Sequence, residues 1–157
     1  MLASELMHSG VLTCTPEDSL EEIALRMWNE DCGAIVIADN DNHPLGILTD
    51  RDITMAAALK HAPLWEVRAA DVKPGAEIYT CHVASDARHA LSQMGDRRVR
   101  RLVVIDDEGR ITGIISTKDL VEHATSASAK KLKALSAEAA LSTLRDICRP
   151  NSNQAAA

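Results

Sequence analysis

The chain has no phenylalanine, and its only aromatics are two tryptophans and one tyrosine among 157 residues. Any core must therefore be built from Ile, Leu, Val, Ala and Met. No apolar run reaches the ~18 residues of a membrane-spanning helix. Basic residues do not exceed acidic ones: 17 Lys and Arg stand against 23 Asp and Glu, for a net charge of −6. That balance argues against nucleic acid as the partner of the whole chain. The four cysteines, Cys14, Cys32, Cys81 and Cys148, form no C-x-x-C pair, and the six histidines form no H-x-x-x-H pair. A metal site is not expected from such spacings. No Ser/His/Asp or Cys/His set stands in a recognisable catalytic context, so the expectation is a protein that is not an enzyme and has no catalytic residues. The opening "MLASELMHSG" lacks the basic-then-apolar layout of a secretion signal. The expected setting is the cytoplasm, with free thiols.

What is present is a repeat. "GILTDRD" (46–52) returns 67 residues later as "GIISTKD" (113–119). Residues 13–53 lie over 80–120 without a gap. Identities fall at Thr13/Thr80, Cys14/Cys81, Met27/Met94, Val36/Val103, Asp39/Asp106, Gly46/Gly113, Ile47/Ile114 and Asp52/Asp119. Conservative pairs such as Ile35/Leu102, Leu48/Ile115 and Thr49/Ser116 fill the apolar and motif positions between them. An ungapped match at one period marks a duplicated structural unit.

Each copy has the same grammar. Ser19 with Glu22 is a capping box. Leu20, Ile23, Ala24 and Met27 then recur at helical spacing, as do Ala87, Ala90, Leu91 and Met94 in the second copy. "AIVIAD" (34–39) and "RLVVID" (101–106) are short aliphatic runs, expected as buried strands. The turns "NDNH" and "DEGR" lead to second strands, "PLGILT" and "ITGIIS". Further helices follow, over Asp52–Lys60 and Asp119–Ala124. The expectation is an α/β (α+β) fold of two tandem α-β-β-α units, residues 1–60 and 61–125, with 61–79 as linker. A unit of this size has too little core to stand alone, so the two should pack with pseudo-twofold symmetry. Residues 126–157 are expected to form a C-terminal amphipathic helix carrying Leu132, Leu135, Leu144 and Ile147, then a disordered tail, "RPNSNQAAA". Trp28, beside the apolar face of its helix, is expected in a core or an interface.

The repeated heptad admits two chemistries. Thr49-x-x-Asp52 and Ser116-x-x-Asp119 are helix-capping patterns. The same geometry suits a ligand: Gly lets a ligand approach a strand closely, the helix N-terminus favours phosphate, and Asp can accept from two ribose hydroxyls. The two readings are compatible.

The duplicated unit, with "VIAD…GILTDRD" and "VRRLVVIDDEGRITGIISTKD", resembles the cystathionine-β-synthase (CBS) domain over about residues 4–125, and the tandem pair resembles a stand-alone Bateman module. That resemblance implies a regulatory sensor in signal transduction that binds an adenosine ligand (AMP, ADP or ATP, or else NAD or S-adenosylmethionine), with no required cofactor. It also implies a homodimer and an unidentified regulated protein. One cleft would combine Thr49 and Asp52 with Ile78, Tyr79, Val99 and Arg100. The other would combine Ser116 and Asp119 with Val11, Leu12, Cys32 and Gly33. Arg100 and Arg101 match positions that reach nucleotide phosphates, whereas repeat one has Gly33 and Ala34 there, so the clefts should differ. The alternative is a structural adaptor with degenerate clefts that docks on a partner enzyme or transporter.

Overall fold

A computed structural model describes residues 1–72, 77–125 and 135–149. It is a mixed α+β structure with two three-stranded sheets. The elements are α1 (Ala3–Leu6), β1 (Thr13–Cys14), α2 (Leu20–Asn29), β2 (Ala34–Ala38), β3 (Pro44–Thr49) and α3 (Asp50–Lys60). After short 3-10 turns at Leu64–Glu66 and Ala69–Asp71 come β4 (Thr80–His82), α4 (Ala87–Arg97), β5 (Arg101–Ile105), β6 (Ile111–Ser116), α5 (Thr117–Thr125) and α6 (Ala137–Cys148). The expected Leu132, residues 73–76 of the linker and the tail from Pro150 onward lie outside the described residues.

The two sheets have the orders β1-β2-β3 and β4-β5-β6. Each unit is therefore β-α-β-β-α, with one strand more than expected. The extra strands carry the identical pairs Thr13/Thr80 and Cys14/Cys81. They pair parallel to the middle strand in the same register, Thr13 opposite Val36 and Thr80 opposite Val103. The 67-residue period extends to the backbone: Asp31 and Arg98 both adopt positive φ, as do Asn42 and Gly109. A turn that requires the left-handed region selects Gly, or Asn in its place.

The chain folds into two compact units that do not follow its order. One comprises Gly10–Tyr79 and Asp107–Ile111; the other comprises Met1–Ser9, Thr80–Asp106 and the chain from Thr112 onward. In the first unit, α2 packs Leu20, Ile23 and Met27 against Ile35, Ile37 and Leu48 of the sheet and Ile53 and Ala56 of α3. Val67 and Ala69 complete this core. The segment 61–72, expected as linker of the second repeat, thus belongs with the first, bound also by Leu20 N–H to the Val67 carbonyl at 2.9 Å. The tip of the β5–β6 hairpin joins this unit too. Ile111 N–H donates to the Asn42 carbonyl (3.0 Å), and Asn42 Nδ2 donates to the Ile111 carbonyl (3.1 Å).

In the second unit, Ala87, Ala90, Leu91 and Met94 of α4 are all buried, as their spacing requires. Ala3 and Leu6 of α1 are fully buried, and Ala3 N–H donates to the Ser85 carbonyl. Helix α6 packs on α4 and α5, burying Ala140, Thr143 and Ile147. Trp28 is not a core residue: it is 85% exposed.

Candidate functional site

Both heptads build the same local geometry. β3 delivers Thr49 to the N-cap of α3, where its hydroxyl accepts from Asp52 N–H (3.2 Å). Asp52 Oδ2 answers by accepting from Thr49 N–H (2.9 Å) and Thr49 Oγ1 (2.7 Å). In the second unit, Asp119 Oδ2 accepts from Ser116 N–H (2.7 Å) and Ser116 Oγ (2.5 Å). The Asp119 N–H donates back to Ser116 Oγ at 3.5 Å. These are reciprocal capping boxes. One carboxylate oxygen holds the turn. In Asp119 the other, Oδ1, makes no hydrogen bond to any described residue. All four motif side chains are half-buried.

The loop before each middle strand is tied to its own motif. Asp50 N–H donates to the Gly33 carbonyl (3.4 Å), and Thr117 N–H donates to the Arg100 carbonyl (3.1 Å). Gly33 with Cys32 therefore borders Thr49–Asp52, and Arg100 with Val99 borders Ser116–Asp119. The combinations expected from the sequence drew these residues from opposite repeats; these two bonds each lie inside one unit. Arg100 is exposed and Arg101 half-buried.

Val11 and Leu12 lead into β1, with the Leu12 carbonyl accepting from Val36 N–H. Ile78 and Tyr79 lead into β4, and Tyr79 Oη donates to Glu77. All four are half-buried.

The glycines of the two motifs differ. Among the described residues, a Cβ on Gly46 would meet only Ile37 Cδ1, at 3.6 Å. A Cβ on Gly113 would run into Met7 Sδ and lie 3.1 Å from the His8 carbonyl oxygen. The close approach at Gly113 is thus made by the chain's own N-terminal segment, which also pairs His8 with Ile114. Sequence spacing alone could not reveal this, because Met7 lies in no repeated position. Behind Asp119, His123 Nε2 lies 3.1 Å from the Glu5 carbonyl.

Among the described residues, no three His, Cys, Asp or Glu side chains come together as a metal-holding group. No helix among them is long and apolar enough to cross a membrane.

Comparison with known proteins agrees with this architecture. The chain is 30% identical over 121 residues to an inosine-5'-monophosphate dehydrogenase of Methanocaldococcus jannaschii, covering 77% of this chain and 23% of that enzyme. The chain spans less than two thirds of the length of the first curated relatives it matches. The crystal structure of Hypoxic Response Protein I with two coordinated zinc ions superposes with a TM-score of 0.69 at 28% identity, covering 78% of this chain and 98% of that one. The CBS domain protein PAE2072 of Pyrobaculum aerophilum, complexed with AMP, superposes with a TM-score of 0.67 at 21% identity, covering 76% and 90%. The CBS-domain family profile matches residues 3–59 and again 69–126, so the two β-α-β-β-α units are a tandem pair and the chain belongs to the CBS-domain family.

Proposed function

We propose that this CBS pair is a regulatory sensor of adenosine nucleotides, with a binding rather than a catalytic role, and that it changes conformation or association when its ligand binds. The observation that carries this reading is the motif carboxylate. Asp119 is fixed by its capping bonds through one oxygen, while the other bonds no described residue and would accept from ribose hydroxyls. The AMP bound by PAE2072 supports an adenosine ligand, as do the 5'-methylthioadenosine and S-adenosyl-L-methionine bound by the CBS pair of protein MJ0100.

The two motifs would not bind equally. The Thr117–Arg100 bond holds the Arg100 backbone beside Ser116–Asp119, where a guanidinium would meet a ligand's phosphate. The corresponding Gly33 brings no charge to Thr49–Asp52. That neighbourhood supports proposing Arg100, which the sequence placed with Thr49 and Asp52, for the other motif. Val11, Leu12, Ile78, Tyr79, Val99, Cys32, Gly33 and Arg101 remain the residues proposed to surround the base and phosphates.

Calorimetric titration with AMP, ADP, ATP, NAD and S-adenosylmethionine tests the reading. Saturating ligand should stabilise the fold by about 2.7 kcal/mol at 100 times Kd. Asp119→Ala should remove the tighter AMP phase and Asp52→Ala the weaker. Arg100→Ala should weaken AMP about ten- to a hundredfold, with little effect on adenosine. Absence of binding by every adenosine ligand would refute the sensor. Loss of the tight phase in Asp52→Ala would return Arg100 to the Thr49–Asp52 motif.

A further inference from the structure

The five methionines of the chain sit in unlike surroundings. Met27 of α2 and Met94 of α4 are buried. Met55 of α3 is 45% exposed. Met1 and Met7 are half-buried. Met1 is held through its backbone, its carbonyl accepting from Ala87 N–H at 2.9 Å. Met7 packs through its side chain. Its thioether fills the place of the side chain that Gly113 lacks, so a Cβ there would run into Sδ and stand 2.8 Å from Cγ. The backbone donors beside it are already spent. His8 N–H and Ile114 N–H give to each other's carbonyls, at 2.9 Å each, and Met7 N–H gives to the Ala3 carbonyl, also at 2.9 Å. The N-terminal strap that carries Met7 also reaches α5. The Glu5 carbonyl lies 3.1 Å from His123 Nε2, and His123 Nδ1 lies 2.9 Å from the Asp119 carbonyl. The strap thus touches the chain on either side of Ser116–Asp119.

We propose that Met7 is a site of oxidation by peroxide, and that its sulfoxide releases the N-terminal strap from the second motif. The step is a two-electron oxygen transfer. The sulfur lone pair attacks a peroxide oxygen, the O–O bond breaks as the S–O bond forms, and hydrogen peroxide leaves as water. The product is polar where the thioether was apolar. A sulfoxide oxygen is an acceptor, and its seat offers it no partner. The N–H groups of Met7, His8 and Ile114 are engaged, and the nearby His8 carbonyl is itself an acceptor. The oxygen is satisfied only by water, so the side chain must turn out of its seat on Gly113. Half-exposure lets peroxide reach Met7, while Met27 and Met94 are shielded by their cores. Met55 is reached as well, but it already faces water, so its oxidation disturbs no packed contact. Departure of Met7 takes away the cover of β6, the strand that delivers Ser116 to its cap, and loosens the Glu5–His123 contact behind Asp119. The change is reversible: a methionine sulfoxide reductase restores the thioether, two thiols supplying the electrons and water leaving. The strap needs no nucleotide to dock, so the proposal stands apart from the sensor reading.

Hydrogen peroxide treatment of the full chain, without nucleotide, tests it. Peptide mass spectrometry should find sulfoxide at Met7 and Met55 while Met27 and Met94 remain thioethers. In the oxidised protein, amide exchange at His8 and Ile114 should be faster by about tenfold or more. Exchange at Thr117, whose N–H is bound to the Arg100 carbonyl, should rise with it. Met7→Leu keeps the volume and forms no sulfoxide, so it should exchange no faster after peroxide than before. Met55→Leu should respond as the wild type does. Met7 left unoxidised while Met55 converts, unchanged exchange at His8 and Ile114 once Met7 is oxidised, or an equal response from Met7→Leu would overturn the proposal. Unchanged exchange at Thr117 would overturn the link from strap to motif. If Met7→Leu fails to fold, the wild type decides across a series of peroxide doses. The acceleration must follow the fraction of Met7 sulfoxide and be undone by the reductase; acceleration that follows Met55 sulfoxide instead refutes the proposal.

Discussion

Cys14 and Cys81 occupy the same place in the two sheets, and burial has the same consequence for both. Each thiol is pushed up to about 11, at Cys14 by burial first and by the Asp18 carboxylate second. The thiolate is the reactive form, so these two should resist alkylation at pH 8 while half-buried Cys32 and exposed Cys148 react. Mass spectrometry after brief iodoacetamide treatment checks this, and labelling of Cys14 ahead of Cys148 would contradict it. The linkage has a sign. An unfolded thiol ionises near its ordinary value and the folded one does not, so both cysteines lower stability as pH rises from about 9 toward 11. His43 carries the opposite dependence. Its Nδ1 lies 3.2 Å from Asp39 Oδ2 and its Nε2 lies 3.0 Å from the Glu108 carbonyl. Both neighbours are acceptors, so only the imidazolium satisfies both contacts. The Glu108 carbonyl first and the Asp39 carboxylate second raise the His43 pKa, while the His43 backbone N–H is the largest cause lowering that of Asp39. Asp41 adds to the attraction, and Glu108 and Arg110 across the contact neutralise each other at 2.9 Å. His43 therefore contributes fully below about pH 6.5, fading as pH rises through its raised value; Asp39 contributes fully above about pH 3.9, fading in acid. The contact should be tightest between those limits. Hydrogen exchange at Ile111 N–H, corrected for its intrinsic rate, should be slower at pH 6 than at pH 8, and His43→Ala should abolish the difference.

At the scale of elements, the heptads were legible as helix caps, because Thr49 with Asp52 and Ser116 with Asp119 close reciprocal capping boxes. Ser19/Glu22, Thr49/Asp52 and the helix faces Leu20–Met27 and Ala87–Met94 fold as their spacings require. The first strand of each unit was not recognised, although Thr13/Thr80 and Cys14/Cys81 marked it. A strand of two or three residues has no room for alternation, and its parallel partner lies across a helix. Of the two places expected for Trp28, a core or an interface, its exposure rules out the core: periodicity identifies the side of a helix beside the core without saying where the core ends. The N-terminal strap was illegible for a different reason: Met7 and His8 are bound to Gly113 and Ile114 by tertiary contact alone. That contact gives the two motif glycines opposite tolerances. Gly113→Ala must displace Met7 and should cost about 1–3 kcal/mol. Gly46→Ala meets only Ile37 Cδ1 at ordinary distance and should leave stability unchanged or raise it by up to about 1 kcal/mol. Urea denaturation of the two variants checks the pair, and equal losses would show that the strap does not hold Gly113.

The largest consequence of the fold concerns where the chain can be divided. A cut at residue 60 follows the repeat in sequence yet divides both compact units. The fragment 1–60 keeps β1, α2, β2, β3 and α3 but loses Val67 and Ala69, which close their core, and the 107–111 turn bound to Asn42 and His43. It also carries α1, in which Ala3 and Leu6 are buried, Ala3 and Ser4 N–H donate to the Ser85 and Val83 carbonyls, and the Glu5 carbonyl lies 3.1 Å from His123 Nε2 of α5. The complementary fragment 61–157 keeps the second sheet but lacks α1, so Gly113 and Ile114 lose the strap that covers them. Each fragment therefore exposes apolar surface that the other holds, and burial of a few such side chains, at roughly 1.5–3 kcal/mol each, is comparable with the whole stability of a small domain. Neither fragment should show a cooperative thermal transition alone. Mixed in equal amounts, they should regain one, because every lost contact is between segments now present together. Circular dichroism melts of the separate and mixed fragments decide the point: a cooperative melt from 1–60 alone would mean that Val67, Ala69 and the 107–111 turn are dispensable. If the mixture remains uncooperative while the intact chain melts sharply, the covalent link at residue 60 is itself required.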